Sequence, residues 1–462
     1  MSDDVRALLR RTAELAADFL ESLDDRPVFP RASAEELREA LGGPLPDEPT
    51  APEEVVEGLV AAADQGIVAM PSGRYFGFVI GGSLPAALAA DWLTSAWDQN
   101  AGLYVGGPSA SVVEEVAREW VCDLLGLPGD ASLGLVTGSQ MGSVTALAAA
   151  RFRVLERAGW DVGRDGLSGA PRVRVLVGAQ RHVTIDRALR LLGLGAPAVV
   201  HADEQGRLDA EALQKALTEG DGPTIVCAQA GEVNTGAFDP FDEIADAVAD
   251  HGAWLHVDGA FGLWAAASPS LRHLVRGAGR ADSWITDTHK WLNVPYDSAL
   301  VLCADPEAHR AAMTISASYL IQDDTVRDQV DWVPEFSRRA RGFAVYAALR
   351  SLGRSGLAEL VERTCACARR FADGIVELDG VELVNEVVLN QVLFRFENDA
   401  RTDEVLRAVQ EAGDVWMSGT TWNGRRAIRV SVSNWQTNDD EIDLALESFR
   451  TASQSPAHAP AR

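Results

Sequence analysis

Trp284-Ile285-Thr286-Asp287-Thr288-His289-Lys290-Trp291 joins the end of an apolar, β-branched run to a polar turn that closes on a lysine. Of the 41 Lys+Arg residues only Lys215 and Lys290 are lysine, which leaves 41 − 2 = 39 arginines. Arginine stays protonated and cannot condense with an aldehyde, whereas a desolvated lysine can form a Schiff base. A lysine retained at a strand end in so arginine-rich a chain points to a required primary amine. Lys215, within Leu208-Asp209-Ala210-Glu211-Ala212-Leu213-Gln214-Lys215-Ala216-Leu217, falls on the polar face of a helical pattern and reads as a solvated residue.

Outward from this stretch, short β-branched runs alternate with helical ones from about residue 71 to 310. The runs are Leu133–Val136, Val173–Val177, Ala198–Val200, Thr224–Cys227, Trp254–Val257, Ser283–Thr286 and Ala299–Leu302. Strands alternating with helices imply an α/β domain with a seven-stranded, mostly parallel sheet covered on both faces. Ligands in such sheets gather at the carboxyl ends of the strands. Residues 1–70 read as a helical arm broken at Gly42-Gly43-Pro44-Leu45-Pro46-Asp47-Glu48-Pro49, with little core of its own. Residues 311–462 read as a small C-terminal α+β domain. It would contain a mobile loop at about 321–334, a long helix over 340–377, and strands at Glu382–Val384, Val392–Phe396 and Ala427–Val432. A final helix at Glu441–Arg450 would precede a disordered tail.

The 462 residues are 47% hydrophobic and 24% charged, as in an ordinary globular protein. A net charge of −27 argues against nucleic acid or an anionic membrane surface as partner. No run approaches the roughly 18 apolar residues of a membrane span, and the acidic N-terminus lacks a signal region, so a cytoplasmic location is expected. The five cysteines, Cys122, Cys227, Cys303, Cys365 and Cys367, lack zinc-site spacing and read as buried thiols, with no metal expected.

Three motifs fall at strand ends. Val136-Thr137-Gly138-Ser139-Gln140-Met141-Gly142-Ser143 is a small, hydroxyl-bearing turn entering a helix, suited to a phosphate, although such turns often serve only as caps. Asp258 ends the apolar run Trp254-Leu255-His256-Val257, where a carboxylate needs a cationic partner such as a protonated pyridine nitrogen; a helix cap is the simpler alternative. Lys290 supplies the amine. A phosphate turn, a carboxylate and a lysine, in this order on an α/β pattern, are the groups that pyridoxal 5′-phosphate requires.

With these motifs the chain resembles the group II pyridoxal-phosphate-dependent amino-acid decarboxylases, the family of aromatic-amino-acid, tyrosine and glutamate decarboxylases. The resemblance runs from about Arg74 to Phe449. It is carried by Arg74-Tyr75-Phe76-Gly77-Phe78, Trp120 through Leu127-Pro128, the phosphate turn, His182, Asn234-Thr235-Gly236-Ala237-Phe238-Asp239, His256-Val257-Asp258, His289-Lys290-Trp291 and Ser337-Arg338-Arg339. It implies an aminotransferase-like fold of type I, a homodimer, and an amino-acid substrate, in primary or secondary metabolism. Lys290 would condense with the cofactor, Asp258 would pair with the pyridinium, and His182 would stack on the ring. Gly138, Ser139 and Gln140 would receive the phosphate, with Gln140 in place of a usual small residue. Asp287 stands where many members have asparagine, beside His289. Arg429 falls where the family carries an arginine, as a carboxylate holder or equally a structural salt bridge. Phe78, Gly81, Gly82 and Trp97 are candidates to line the substrate pocket.

One departure bears on the reaction. Decarboxylases of this family commonly carry a loop tyrosine that protonates the carbanion left when CO2 departs. Aligning Trp332 and Arg338-Arg339 places Gln329 there, and Tyr319 does not align with it. The expected activity is decarboxylation of an L-amino acid or an amino-acid-derived biosynthetic intermediate. The alternatives are oxygen-dependent decarboxylation–deamination to an aldehyde, and β-elimination from a cysteine conjugate.

Overall fold

The structure, a computed structural model, describes residues 3–315 and 325–454. Seven strands form the large sheet: β1 Ser132–Val136, β2 Arg174–Gly178, β3 Ala198–Val200, β4 Thr224–Gln229, β5 Trp254–Asp258, β6 Ser283–Asp287 and β7 Ala299–Cys303. Each lies within two residues of a run read from the sequence. Strands β1 and β4–β7 are buried along their whole length, as continuous apolar runs require when helices cover both faces. The order is β1-β7-β6-β5-β4-β2-β3. Pairs β2–β3, β2–β4, β4–β5 and β5–β6 are parallel, whereas β7 runs antiparallel to both β6 and β1. Two reversals leave β1 pointing the same way as β6. The carboxyl ends of β1, β2, β4, β5 and β6 therefore share one edge.

A second, antiparallel sheet has the order β10-β11-β9-β8, from β8 Glu382–Leu383, β9 Gln391–Arg395, β10 Ser418–Trp422 and β11 Arg425–Ser431. Strand β10 was not expected, because Ser418-Gly419-Thr420-Thr421-Trp422 holds only one large apolar residue. Its signal is the turn that follows: Asn423 and Gly424 take φ 47° and 77°, the left-handed pair of a tight hairpin. The long helix Gly342–Ile375 is interrupted at Gly353 (φ 59°, ψ −176°). Its first half packs on Pro85–Trp97 and Pro108–Leu125, and Phe371 joins Phe394 and Phe449 in the small sheet's core. All five cysteines are buried and unpaired. Lys215 is exposed beside Glu219.

Residues 321–324 of the segment read as mobile lie outside the described residues, as does Tyr319. Residues 325–334, by contrast, are tied down by polar contacts rather than by periodic apolar ones, which is why the sequence showed no pattern there. Glu114 holds Arg338 at 2.6 Å and Arg327 at 3.5 Å, all three side chains at least nine-tenths buried. Asp328 accepts the Tyr104 N–H at 2.6 Å. Removing one partner of a buried ion pair strands the other charge. Glu114→Ala is thus expected to cost about 3–5 kcal/mol of stability, read as a lowered urea midpoint.

His309 braces the same segment, with Nδ1 2.8 Å from Ser132 Oγ and Nε2 2.9 Å from the Trp332 carbonyl oxygen. Burial pushes its pKa down to about 4, and that of His256 down to about 3. An unfolded histidine titrates near 6.5, so below that pH the unfolded chain binds more protons than the folded one. The stabilisation is complete above pH ~6.5 and is lost as pH falls toward ~4, on the order of 3 kcal/mol for His309 alone. Urea midpoints should fall progressively with acidification across this window.

Candidate active site

At the shared strand edge lies a cavity of about 250 Å³. Gly138, Ser139, Gln140, His182, Asp258, Asp287, His289 and Lys290 all line it. The eight residues expected around the cofactor are thus brought together from turns more than 150 positions apart in sequence.

Each is placed by a local cause. Gly138, in extended conformation, starts the helix Ser139–Arg157 without a side-chain cap of its own, and its carbonyl accepts the Met141 and Gly142 N–H groups, while Ser139 and Gln140 line the cavity. His182 is the N-cap of the helix Val183–Leu191, and its Nδ1 accepts from Thr184 N–H and lies 2.8 Å from Thr184 Oγ1. Its backbone N–H donates to Gln229 Oε1 at 3.2 Å, while Gln229 Nε2 donates to the Gln180 carbonyl at 3.3 Å. Gln229 is paired in register with Asp258 on the neighbouring strand. Gly81 carries the strap over the lysine turn: an added Cβ would lie 2.0 Å from the Lys290 carbonyl oxygen. Gly82 donates its N–H to Asn293 Oδ1 at 2.6 Å, and a Cβ there would meet Asn434. Both glycines serve close packing next to the site.

The electrostatics are those of a buried charge cluster. Asp258 accepts one hydrogen bond, from Ala260 N–H at 3.2 Å, and burial raises its pKa against the pull of His182 and Lys290. Asp287 is opposed by burial too, but Lys290 Nζ at 2.8 Å, His289 and the Ser139 N–H at 2.6 Å hold its pKa below the usual range. Burial lowers His182 and His289, keeping both toward the neutral form.

The cavity's donor set fits pyridoxal 5′-phosphate. Ser139 Oγ is buried without a partner beside the helix N-terminus, a ready donor for phosphate. Among the described residues no cation lies within ion-pair distance of Asp258, which leaves its carboxylate for a pyridinium nitrogen. Lys290 offers the amine. The bound group supplies an electron-accepting ring conjugated to the substrate's Cα. The chain's part would be to hold it: Asp258 would keep the ring nitrogen protonated, and His182, locked by Thr184 and Gln229, would bound the ring's position.

Other expectations fare differently. Arg429, 8% exposed, forms no ion pair among the described residues; it donates to the carbonyls of Val233 (3.2 Å) and Phe78 (3.4 Å), and its Nε has no partner. Phe78 takes φ 54°, unusual for a bulky residue, and this turns its carbonyl onto Arg429 and Ser431. Trp97 is half-exposed and packs edge-on against Phe343, outside the cavity. Gln329 is not brought to the cavity: it is fully buried, with Oε1 accepting from Ser111 Oγ at 3.0 Å. Thr184, Gln229, Gly231, Val233, Ala260 and Phe261 line the cavity and were not foreseen. Gln229, Ala260 and Phe261 had a readable signal, since they end or follow the strands that carry the site.

Such a lysine–carboxylate–phosphate-turn cavity on a type I α/β fold defines a pyridoxal-phosphate enzyme, and residues 35–397 match the pyridoxal-dependent decarboxylase conserved domain. The chain belongs to this family, and it is a carboxy-lyase that uses pyridoxal 5′-phosphate. It is 26% identical over 460 residues to an aromatic-L-amino-acid decarboxylase of Bacillus atrophaeus, covering 96% of this chain and 94% of that one. It is 32% identical over 355 residues to an acidic amino acid decarboxylase of Mus musculus, covering 74% and 62% respectively. The crystal structure of an Oryza sativa protein, TDC with PLP and tryptamine, shares the fold with a TM-score of 0.91 at 24% identity, covering 98% of each chain.

Proposed function

We propose that this chain decarboxylates an L-amino acid, or an intermediate derived from one, to the corresponding amine. The observation that carries this reading is Lys290 Nζ in one cavity with Asp258, His182 and the Ser139 turn. Arg429 supports an amino-acid substrate: a buried guanidinium hydrogen-bonded only to neutral oxygens, with its Nε–H unpartnered, suits a carboxylate. The family's relatives act on both aromatic and acidic substrates, so the side-chain class rests on the cavity walls.

Those walls are completed by a second copy in this reading. The helix Pro85–Trp97 exposes Trp92, Leu93 and Trp97, and the helices Ala34–Leu41 and Pro52–Ala63 bury no residue at all. Leu9, Val55 and Leu59 are more than half exposed. So much bare apolar surface along amphipathic helices calls for a partner, and a homodimer would cover it. Among the described residues no helix is long and apolar enough to cross a membrane.

A second reading, aldehyde formation with oxygen uptake, rests on the sequence alignment that puts glutamine where relatives carry a loop tyrosine, although the structure buries Gln329 away from the cavity. Incubating the cofactor-loaded protein in air with aromatic, acidic and sulfur-conjugated amino acids, and weighing the products, separates the two. An amine, the substrate less CO2, supports the first reading. An aldehyde with oxygen consumed replaces it, and pyruvate with a released thiol replaces both with β-elimination.

A further inference from the structure

Asp287 stands where the cofactor's phosphate has to be received, and it carries the same sign of charge. Its carboxylate is 2% exposed, accepts the Ser139 N–H at 2.6 Å in the first turn of Ser139–Arg157, and pairs with Lys290 Nζ at 2.8 Å. The other ionisable groups around it are His289 on the same turn, Asp258 from β5, His182 from the turn after β2, and Tyr296. Among the described residues no arginine lines the cavity, and Lys290 is the one lysine that does. A phosphate here would be met by the Gln140 N–H, the Ser139 hydroxyl and His289, because Asp287 takes the Ser139 N–H and the Gly138 carbonyl takes those of Met141 and Gly142.

His289 is arranged to soften this conflict, not to remove it. Its Nδ1 accepts the Ser298 N–H at 3.3 Å, so the neutral ring carries its proton on Nε2, which lies 3.7 Å from Asp287 Oδ1. The ring is stacked on Tyr296 at 4.3 Å, which fixes that direction. Once the Lys290 amine is committed to the cofactor's aldehyde, Asp287 keeps only neutral donors, this ring and the Ser139 N–H, beside the phosphate. Like charges a few ångströms apart in a water-poor site repel strongly.

We propose that Asp287 opposes retention of the cofactor's phosphate, seating the Lys290 ammonium while the cofactor is absent and repelling the phosphate once it is bound. The consequence is a cofactor that exchanges readily instead of staying locked in place. The inference rests on the cofactor assignment and deepens it.

The test compares pyridoxal 5′-phosphate with pyridoxal, which lacks the phosphate, by equilibrium dialysis against the full chain freed of cofactor. Asp287→Asn is expected to raise the ratio of the two affinities by about tenfold, ~1.4 kcal/mol, and to slow release of the phosphorylated ligand. Asp287→Ser is a second, smaller variant expected to move the ratio the same way. Circular dichroism and thermal unfolding confirm that each variant is folded. If both ligands shift equally, Asp287 acts only through Lys290 and the proposal is overturned; a falling ratio overturns it as well. A wild-type chain that takes up neither ligand would remove the cofactor assignment and the proposal together.

Discussion

Lys290→Ala is expected to reduce product formation by on the order of 10³-fold or more, because no other amine in the cavity can condense with an aldehyde. Lys290→Arg sharpens the result. Arginine keeps a positive charge near Asp287, so the fold and the ion pair survive better than in the alanine variant, but its guanidinium cannot form the covalent link. Both variants should therefore be inactive, with the arginine variant unfolding closer to the wild-type temperature. Borohydride reduction followed by peptide mass analysis supplies the direct readout. The wild-type peptide containing Lys290 should gain the mass of the reduced cofactor, and neither variant peptide should. Retained turnover in Lys290→Ala would mean that the amine is supplied from elsewhere.

The next largest loss is expected for Asp258→Asn. Asp258 is 6% exposed and, among the described residues, accepts one backbone hydrogen bond, so its buried charge would be relieved by a cationic partner on the cofactor ring. Asparagine keeps the shape and the Ala260 contact but cannot hold a proton on a pyridine nitrogen. Breaking a buried pair costs about 3–5 kcal/mol, which corresponds to roughly 10²–10³-fold or more in rate if the pair acts fully at the transition state. The borohydride adduct at Lys290 should still form, because the lysine is untouched. Turnover lost with the adduct retained distinguishes Asp258 from a residue needed merely for folding.

The large sheet and the residues that meet in the candidate cavity were legible in the sequence because both follow strong local rules. Continuous apolar runs such as Ala299-Leu300-Val301-Leu302 are readable as buried strands, and functional groups collect just past the carboxyl ends of the parallel ones. Lys290 was singled out by scarcity and chemistry rather than by position. What stayed hidden was set by three-dimensional approach. Gln229 matters because its amide reaches across to residues 180 and 182. Gln329 aligned with a catalytic position, yet Ser111, more than 200 residues earlier, holds it inside the protein. Strand β10 was missed because its polar residues gave no period, although the Asn423-Gly424 turn announced a hairpin.

Strand β7 has a consequence for how the protein comes into being. Strand β1, which delivers the phosphate turn, has β7 as its sole neighbour in the sheet, and β7 ends at Cys303. Strand β6, which delivers Lys290, also leans on β7. During synthesis, residues 132–140 therefore wait for more than 150 further residues before their place in the sheet exists. Closing so long a loop carries a high entropic cost. The phosphate turn and the lysine turn are thus joined in the sheet only through β7, and a ribosome-bound chain stopped before Ala299 should be unable to hold the cofactor.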